Sequence, residues 1–207
     1  MQSKAKVEGI EIKEEEKIED SIIELSEKGK EQAEKLGEKL NNYIKNNKIK
    51  KENSLILISP YKRARSTFEI VNQKLKFDEN KEGVFVLNSL REQSYGAFHM
   101  ISKETKKQEY GKIYNECQRI KSSYYKPQFL GESPAEVSDR LWNVCQFIKE
   151  YSEENNIENV FIFGHGNVNR CMLMNLLNLP PEFYDDFKRG STASIINIKK
   201  GMYNEML

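Results

Sequence analysis

Three short stretches of this sequence carry side chains suited to chemistry, and each follows an apolar run. His165 stands between two glycines in "VFIFGHGNVNRCMLM", residues 160–174. Arg91 and Glu92 follow "GVFVLNSL" in "LREQSYG", and Lys62, Arg63 and Arg65 follow "SLILIS" in "PYKRARST". A guanidinium binds a pair of phosphate oxygens bidentately. Backbone N–H groups of a glycine-rich turn at a helix start add an anion contact. A histidine there would donate to a phosphoryl oxygen, and a carboxyl group could protonate a leaving alkoxide. The combination reads as a site for a phosphomonoester.

Each residue also has a plainer reading. Arg63 and Arg65 could be solvated side chains in a helix's first turn, although cations there oppose the helix dipole. Glu92 alone suits a surface charge or a cap, and His165 alone suits a satisfied core histidine. Their shared placement is what connects them. Ligands of open α/β sheets bind beyond the C-terminal ends of the strands, and each group follows a segment of strand type.

Those segments are "SLILIS" (54–59), "GVFVLNSL" (83–90) and "NVFIFG" (159–164). The first lacks alternation, as a buried parallel strand does. Helical periodicity surrounds them. Ala33, Leu36, Leu40 and Ile44 form one stripe, and Ala64, Phe68, Val71 and Leu75 form a second. "SPAEVSDRLWNVCQFIKEYSEEN" opens on a capping box, Ser133 with Glu136, and has Pro134 at the first helical position. Val137, Leu141, Val144 or Cys145, and Ile148 give its apolar face. "NVNRCMLMNLLNL" is a further helix, stopped by Pro180 and Pro181. "SIINIKK", 194–200, reads as a late, outer strand.

Alternation of this kind predicts an α/β three-layer sandwich, with a mostly parallel sheet and helices on both faces. Residues 91 to about 132 are too long for a plain connection and should hold short helices and a functional loop, an insert or lid around 97–132. Residues 1–24 read as a polar arm or loop, and 25–207 as a single domain. Tyr110, Tyr114, Tyr124 and Tyr125 read as packing within the insert, Arg170 as a partner of some acid, and Trp142 as flank packing.

Charged residues make up 31% and the net charge is +1, which argues against a nucleic-acid partner. No run approaches the roughly 18 apolar residues of a membrane span, and the N-terminus has no apolar signal-peptide core. Cys117, Cys145 and Cys171 are widely spaced, so they read as reduced packing residues in a cytoplasmic compartment, with no metal site.

"LSEKGKEQA", "ISPYKRARSTFEI", "LREQSYGAF" and "VFIFGHGNVNRCML" resemble, in order, the successive signatures of the histidine phosphatase superfamily, of phosphoglycerate mutase-like fold. The resemblance runs from about residue 24 to near the C-terminus, and "LREQSYGAFH", "EYGKIY" and "GESPAEVSDRL" are similar to a broad-specificity phosphatase subgroup. It implies that His165, with Gly166 in its turn, contacts a phosphoryl group, that Arg63 binds phosphate, and that Glu92 is the general acid. The ligand implied is a phosphorylated small molecule or phosphate, with no cofactor.

The family's nucleophile is a histidine in an Arg-His-Gly motif ending the first strand. Here the only histidines are His99 and His165, and no Arg-His-Gly precedes "LSEKG"; by spacing the nearest match is Glu8-Gly9. His99 lies inside the insert, which would supply poorly the fixed in-line geometry a nucleophile needs, so it is the less favoured substitute. Three readings follow. The chain is a phosphomonoesterase whose Arg-His-Gly strand lies upstream of Met1, or an inactive relative serving as a structural or assembly subunit, or an anion-binding module. The family's first strand is central, so its loss should leave a gap in the sheet that a repaired sheet, a segment from a protein partner or upstream residues would fill.

Overall fold

The computed structural model describes residues 19–78, 83–96, 102–119, 131–187, 195–199 and 202–206. Three parallel strands form its centre, in the order β2-β1-β3. They are β1 (Ser54–Ile58), β2 (Val84–Val86) and β3 (Asn159–Phe163). All five residues of β1 are buried. That burial on both faces is why "SLILI" shows no alternation.

The two faces of β1 belong to two cores. Leu55 and Leu57 pack with Val137, Leu141 and Val144 of α4 (Pro134–Asn155) and with Val168, Cys171 and Met172 of α5 (Gly166–Leu176). Ile56 and Ile58 pack with Leu40 and Ile44 of α1 (Glu27–Asn46) and with Phe68, Val71 and Leu75 of α2 (Lys62–Leu75). The result is the expected α/β arrangement of helix, sheet and helix layers. Leu55 and Leu57 are 0% exposed, and burying each side chain stabilises the fold by about 1.5–3 kcal/mol.

Local sequence explains the helix ends. Ser26 caps α1 by accepting from the backbone N–H of Gly29. Ser133 and Glu136 form the reciprocal capping box of α4, with Pro134 just inside. Gly37 lets α1 lie close on α2: a Cβ there would come within 3.3 Å of the Val71 Cα. Within the insert, α3 (Lys103–Arg119) is interrupted by non-helical angles at Tyr110, so it is two short helices across a kink. No described helix is long and apolar enough to cross a membrane.

Two features differ from the expectation. Only 84–86 of the "GVFVLNSL" segment pairs as strand, and Asn88–Leu90 is a 3-10 turn. Arg140 takes the carbonyls of Ser89 and Arg91, which draws the chain away from the sheet. The late strand β4 (Ile195–Lys199) does not extend the parallel sheet among the described residues. It pairs antiparallel with β5 (Met202–Met206) across Lys200-Gly201, in a separate two-stranded sheet. Among the described residues β3 pairs directly with β1, residue for residue, from Ser54 with Asn159 to Ile58 with Phe163, as a repaired sheet would.

Residues 19–25 are described, whereas 1–18 lie outside the described residues. A 3-10 turn at Asp20–Ile22 leads to the buried Ile23 and Leu25. This turn lies against α2 and contributes to the site described next.

Candidate active site

The ladder continues past the strand ends and carries the site with it. Ser59 N–H donates to the Phe163 carbonyl at 2.9 Å, and Leu87 N–H donates to the Ile58 carbonyl at 2.9 Å. Beyond these bonds β1 turns through Pro60 into α2, and β3 turns through Gly164 and His165 into α5. A Cβ on Gly164 would stand 2.8 Å from Asn169 Oδ1, so the Asn169 amide lies close over this turn.

His165 is extended (φ −130°, ψ 158°) and occupies the N-cap of α5, yet its side chain makes no capping bond. The imidazole turns inward instead, and the residue is 7% exposed. Its Nε2 lies 2.7 Å from Ser59 Oγ. Its Nδ1 lies 3.9 Å from Glu92 Oε2, too long for a hydrogen bond. The Tyr61 ring meets it edge-on at 5.1 Å. Burial drives its pKa well below the usual histidine value, and the guanidinium charges of Arg63 and Arg140 add to the effect. The ring is therefore neutral at physiological pH.

Gly166 and the next two residues begin α5, and the first backbone N–H to pair within the helix is that of Asn169, with the His165 carbonyl at 2.8 Å. The preceding N–H groups form the positive end of the helix. A Cβ on Gly166 would meet nothing within 4 Å, so open space lies beside them. A neutral imidazole donor and a helix N-terminus thus share one corner.

Arg63 is in the first turn of α2, stacked 4.9 Å over the Tyr61 ring. Its fork holds Asp20: NH1 donates to Oδ1 at 2.9 Å and NH2 to Oδ2 at 3.1 Å, while NH1 also reaches the Asp20 carbonyl at 2.8 Å. The guanidinium presents to this carboxylate the geometry it would present to two phosphate oxygens. Its neighbours on the sequence do not join it. Lys62 and Arg65 are exposed, and Lys62 pairs with Glu24.

Comparison with known proteins places the family and the fold. The sequence model of the Histidine phosphatase superfamily (branch 1) matches residues 14–203. The chain belongs to this superfamily. Among solved structures, the alpha-ribazole phosphatase from Shigella flexneri is similar with a TM-score of 0.70 at 22% identity, over 100% of this chain and 91% of that one. Mycobacterial hydrolase 1 gives 0.71 at 18%, over 100% and 93%. The mycobacterial glucosyl-3-phosphoglycerate phosphatase complexed with VO3 gives 0.69 at 20%, over 93% and 86%. These likenesses establish the phosphoglycerate mutase-like fold. No curated protein matches the chain.

In this histidine phosphatase superfamily member, the loop carrying Glu92 is fixed from beneath. Glu132 Oε1 accepts from Arg91 NH2 at 2.7 Å and from Arg140 Nε at 2.9 Å, and Oε2 accepts from the Ser94 N–H at 3.0 Å. Arg140 NH2 also donates to the carbonyl of Arg91 at 2.9 Å. Burial alone would raise the Glu132 pKa, but the bonds from Arg140 and Ser94 hold it below the usual carboxylate range. Glu92 Oε1 accepts from the Gln93 N–H at 2.9 Å, which turns Oε2 toward His165.

Sequence reasoning singled out His165, Glu92, Arg63 and Gly166, and did not single out the side chains that surround them. Ser59, Tyr61, Glu132 and Arg140 were not singled out. Glu132 lies only one residue before the capping serine, and Arg140 lies two turns into the helix that Ser133 starts. Neither position carries a local signal. Asn167 was missed as well: its Nδ2 donates to Gln93 Oε1 at 3.0 Å and contacts the Tyr95 hydroxyl, while its buried Oδ1 has no partner among the described residues.

Other sequence readings are placed as follows. Cys171 is buried and Cys145 half-buried, and burial pushes their thiols up to about 12 and about 11. Arg170 lies over the Tyr184 ring, 3.8 Å from Asp185. Trp142 is 48% exposed on α4. Glu8, His99, Tyr124 and Tyr125 lie outside the described residues, as do the side chains of Tyr114 and Cys117.

Proposed function

We propose that this chain receives the phosphoryl group of a phosphorylated small molecule between His165, Arg63 and the N-terminus of α5. One observation carries the reading: a buried, neutral histidine stands at a helix N-terminus whose N–H groups open onto space that a Cβ at Gly166 would not fill. Neutral imidazole avoids the cost of burying a second charge and still donates to a phosphoryl oxygen. Arg63 supplies the bidentate fork once Asp20 yields it. Glu92, 3.9 Å from the imidazole, is the group placed to protonate a leaving alkoxide.

The proposal includes binding without turnover for residues 1–207. The sequence contains no Arg-His-Gly, and Nε2 of His165 is already hydrogen-bonded to Ser59 Oγ at 2.7 Å. Calorimetric titration with orthovanadate and with phosphate tests the binding. The parent chain should bind both, and His165→Ala and Arg63→Ala should abolish the heat. A folded parent that gives no heat and no rise in melting temperature at millimolar ligand would sink the reading. Hydrolysis of p-nitrophenyl phosphate should be negligible, with no phosphohistidine formed. Turnover that disappears in His165→Ala would instead show an active phosphatase.

A further inference from the structure

We infer that Ser59 is a positioning residue that keeps the His165 ring proton on Nδ1 and so makes this histidine a hydrogen-bond donor at the site. Ser59 is 0% exposed. No ligand reaches it, and any effect it has on binding passes through His165. Its hydroxyl oxygen accepts from the Tyr61 backbone N–H at 3.3 Å and lies 2.7 Å from His165 Nε2.

The inference follows from counting donors and acceptors. A serine hydroxyl has one proton to give and two lone pairs. With Tyr61 N–H as donor, the Ser59 proton has one acceptor among the described residues, and that is His165 Nε2. A neutral imidazole that accepts at Nε2 must carry its proton at Nδ1. The reverse tautomer fails twice. It would leave the Ser59 proton buried without an acceptor, and it would turn the bare Nδ1 lone pair toward Glu92 Oε2 at 3.9 Å. The same serine bonds by its own N–H to the Phe163 carbonyl, two residues before His165. The strand pairing that ends in Ser59 and Phe163 therefore also sets the distance from hydroxyl to imidazole.

The consequence for ligand binding rests on the phosphoryl-site reading above. With Nδ1–H fixed, His165 offers a proton to an incoming oxygen without first having to charge in a buried place. Had Nε2 carried the proton, the histidine would present a lone pair to an anion and repel it. Ser59 thus decides whether the imidazole helps or opposes the ligand.

The test reads the tautomer and the binding separately. Two-bond proton–nitrogen correlation spectra of the labelled chain show two histidine rings, assigned with His99→Gln. The parent should show the Nδ1-protonated pattern for His165. Ser59→Ala, which removes only a hydroxyl from the core, should move it toward the Nε2-protonated pattern, and Ser59→Thr should restore it. Orthovanadate affinity should fall about tenfold in Ser59→Ala, the loss of one hydrogen bond to a charged ligand, and recover in Ser59→Thr. An Nε2-protonated parent, or an unchanged pattern in folded Ser59→Ala, overturns the inference. If the parent binds no vanadate, the phosphoryl-site reading fails, while the tautomer spectra still decide the role of Ser59.

Discussion

Asp20→Asn separates the two uses of Arg63. In the structure the Arg63 side chain is 12% exposed and that of Asp20 28%. Three hydrogen bonds join them, two to the carboxylate and one to the backbone carbonyl. Hydrogen bonds to charged groups contribute about 1.5–3 kcal/mol in protected places, and exposed ion pairs less than about 1 kcal/mol. Asparagine keeps the carbonyl bond and one side-chain acceptor but loses the charge. With Asp20 still partly open to water, a loss of about 1.5 kcal/mol is the working value. Two effects of opposite sign follow. The melting temperature should fall by about 3–6 °C, the shift for such a loss in a chain of this size. Orthovanadate should bind about tenfold tighter, because the anion no longer displaces a carboxylate from the fork. Thermal unfolding with and without vanadate, together with calorimetry, measures both. Folded Asp20→Asn that binds vanadate no better than the parent would refute the idea that Asp20 and the ligand compete for Arg63.

Other changes report on the supporting structure. Glu132→Gln leaves Arg140 without its charge partner and should cost about 2–3 kcal/mol at neutral pH by urea unfolding. The native pKa of Glu132 is depressed below 4.5, so its contribution is complete above that value and is lost as pH falls through the native pKa. The gap between parent and variant should therefore close in acid, and a pH-independent gap would contradict the assignment. Ser133→Ala removes the capping box of α4 and should cost about 1 kcal/mol in the same assay; no change would mean the cap contributes nothing measurable. With thiols pushed up to about 11 and about 12, Cys145 and Cys171 should resist iodoacetamide in the native protein near neutral pH, as read by peptide mass spectrometry. Rapid labelling of either would show that the packing around α5 opens readily.

Much of this protein was legible because it is written in local patterns. The unbroken "SLILI" run marks a strand buried on both faces, and Ser133-Pro134-Ala135-Glu136 states where α4 begins. The placing of Arg63, Glu92 and His165 just beyond strand-like segments brought the candidate site into view. The extent of β2 was not legible in the same way. Its second half reads as strand by composition, but Arg140, some fifty residues later in the chain, takes the Ser89 carbonyl and that of Arg91 just beyond it. The strand character of "SIINIKK" was also correct, while its partner was not fixed by its own residues.

The sequence by itself determined the layer order, the helix caps and the residue types at the strand ends, because these depend on periodicity and on neighbours within one helical turn. Only the tertiary structure decided what state those residues are in. Burial and nearby guanidinium charges make His165 neutral, the Ser59 hydroxyl orients its ring, and Asp20 fills the fork of Arg63. Each of these effects is a contact between segments far apart in the chain. Electrostatic energies and hydrogen bonds act over a few ångströms of space, and no spacing along one stretch of sequence encodes them.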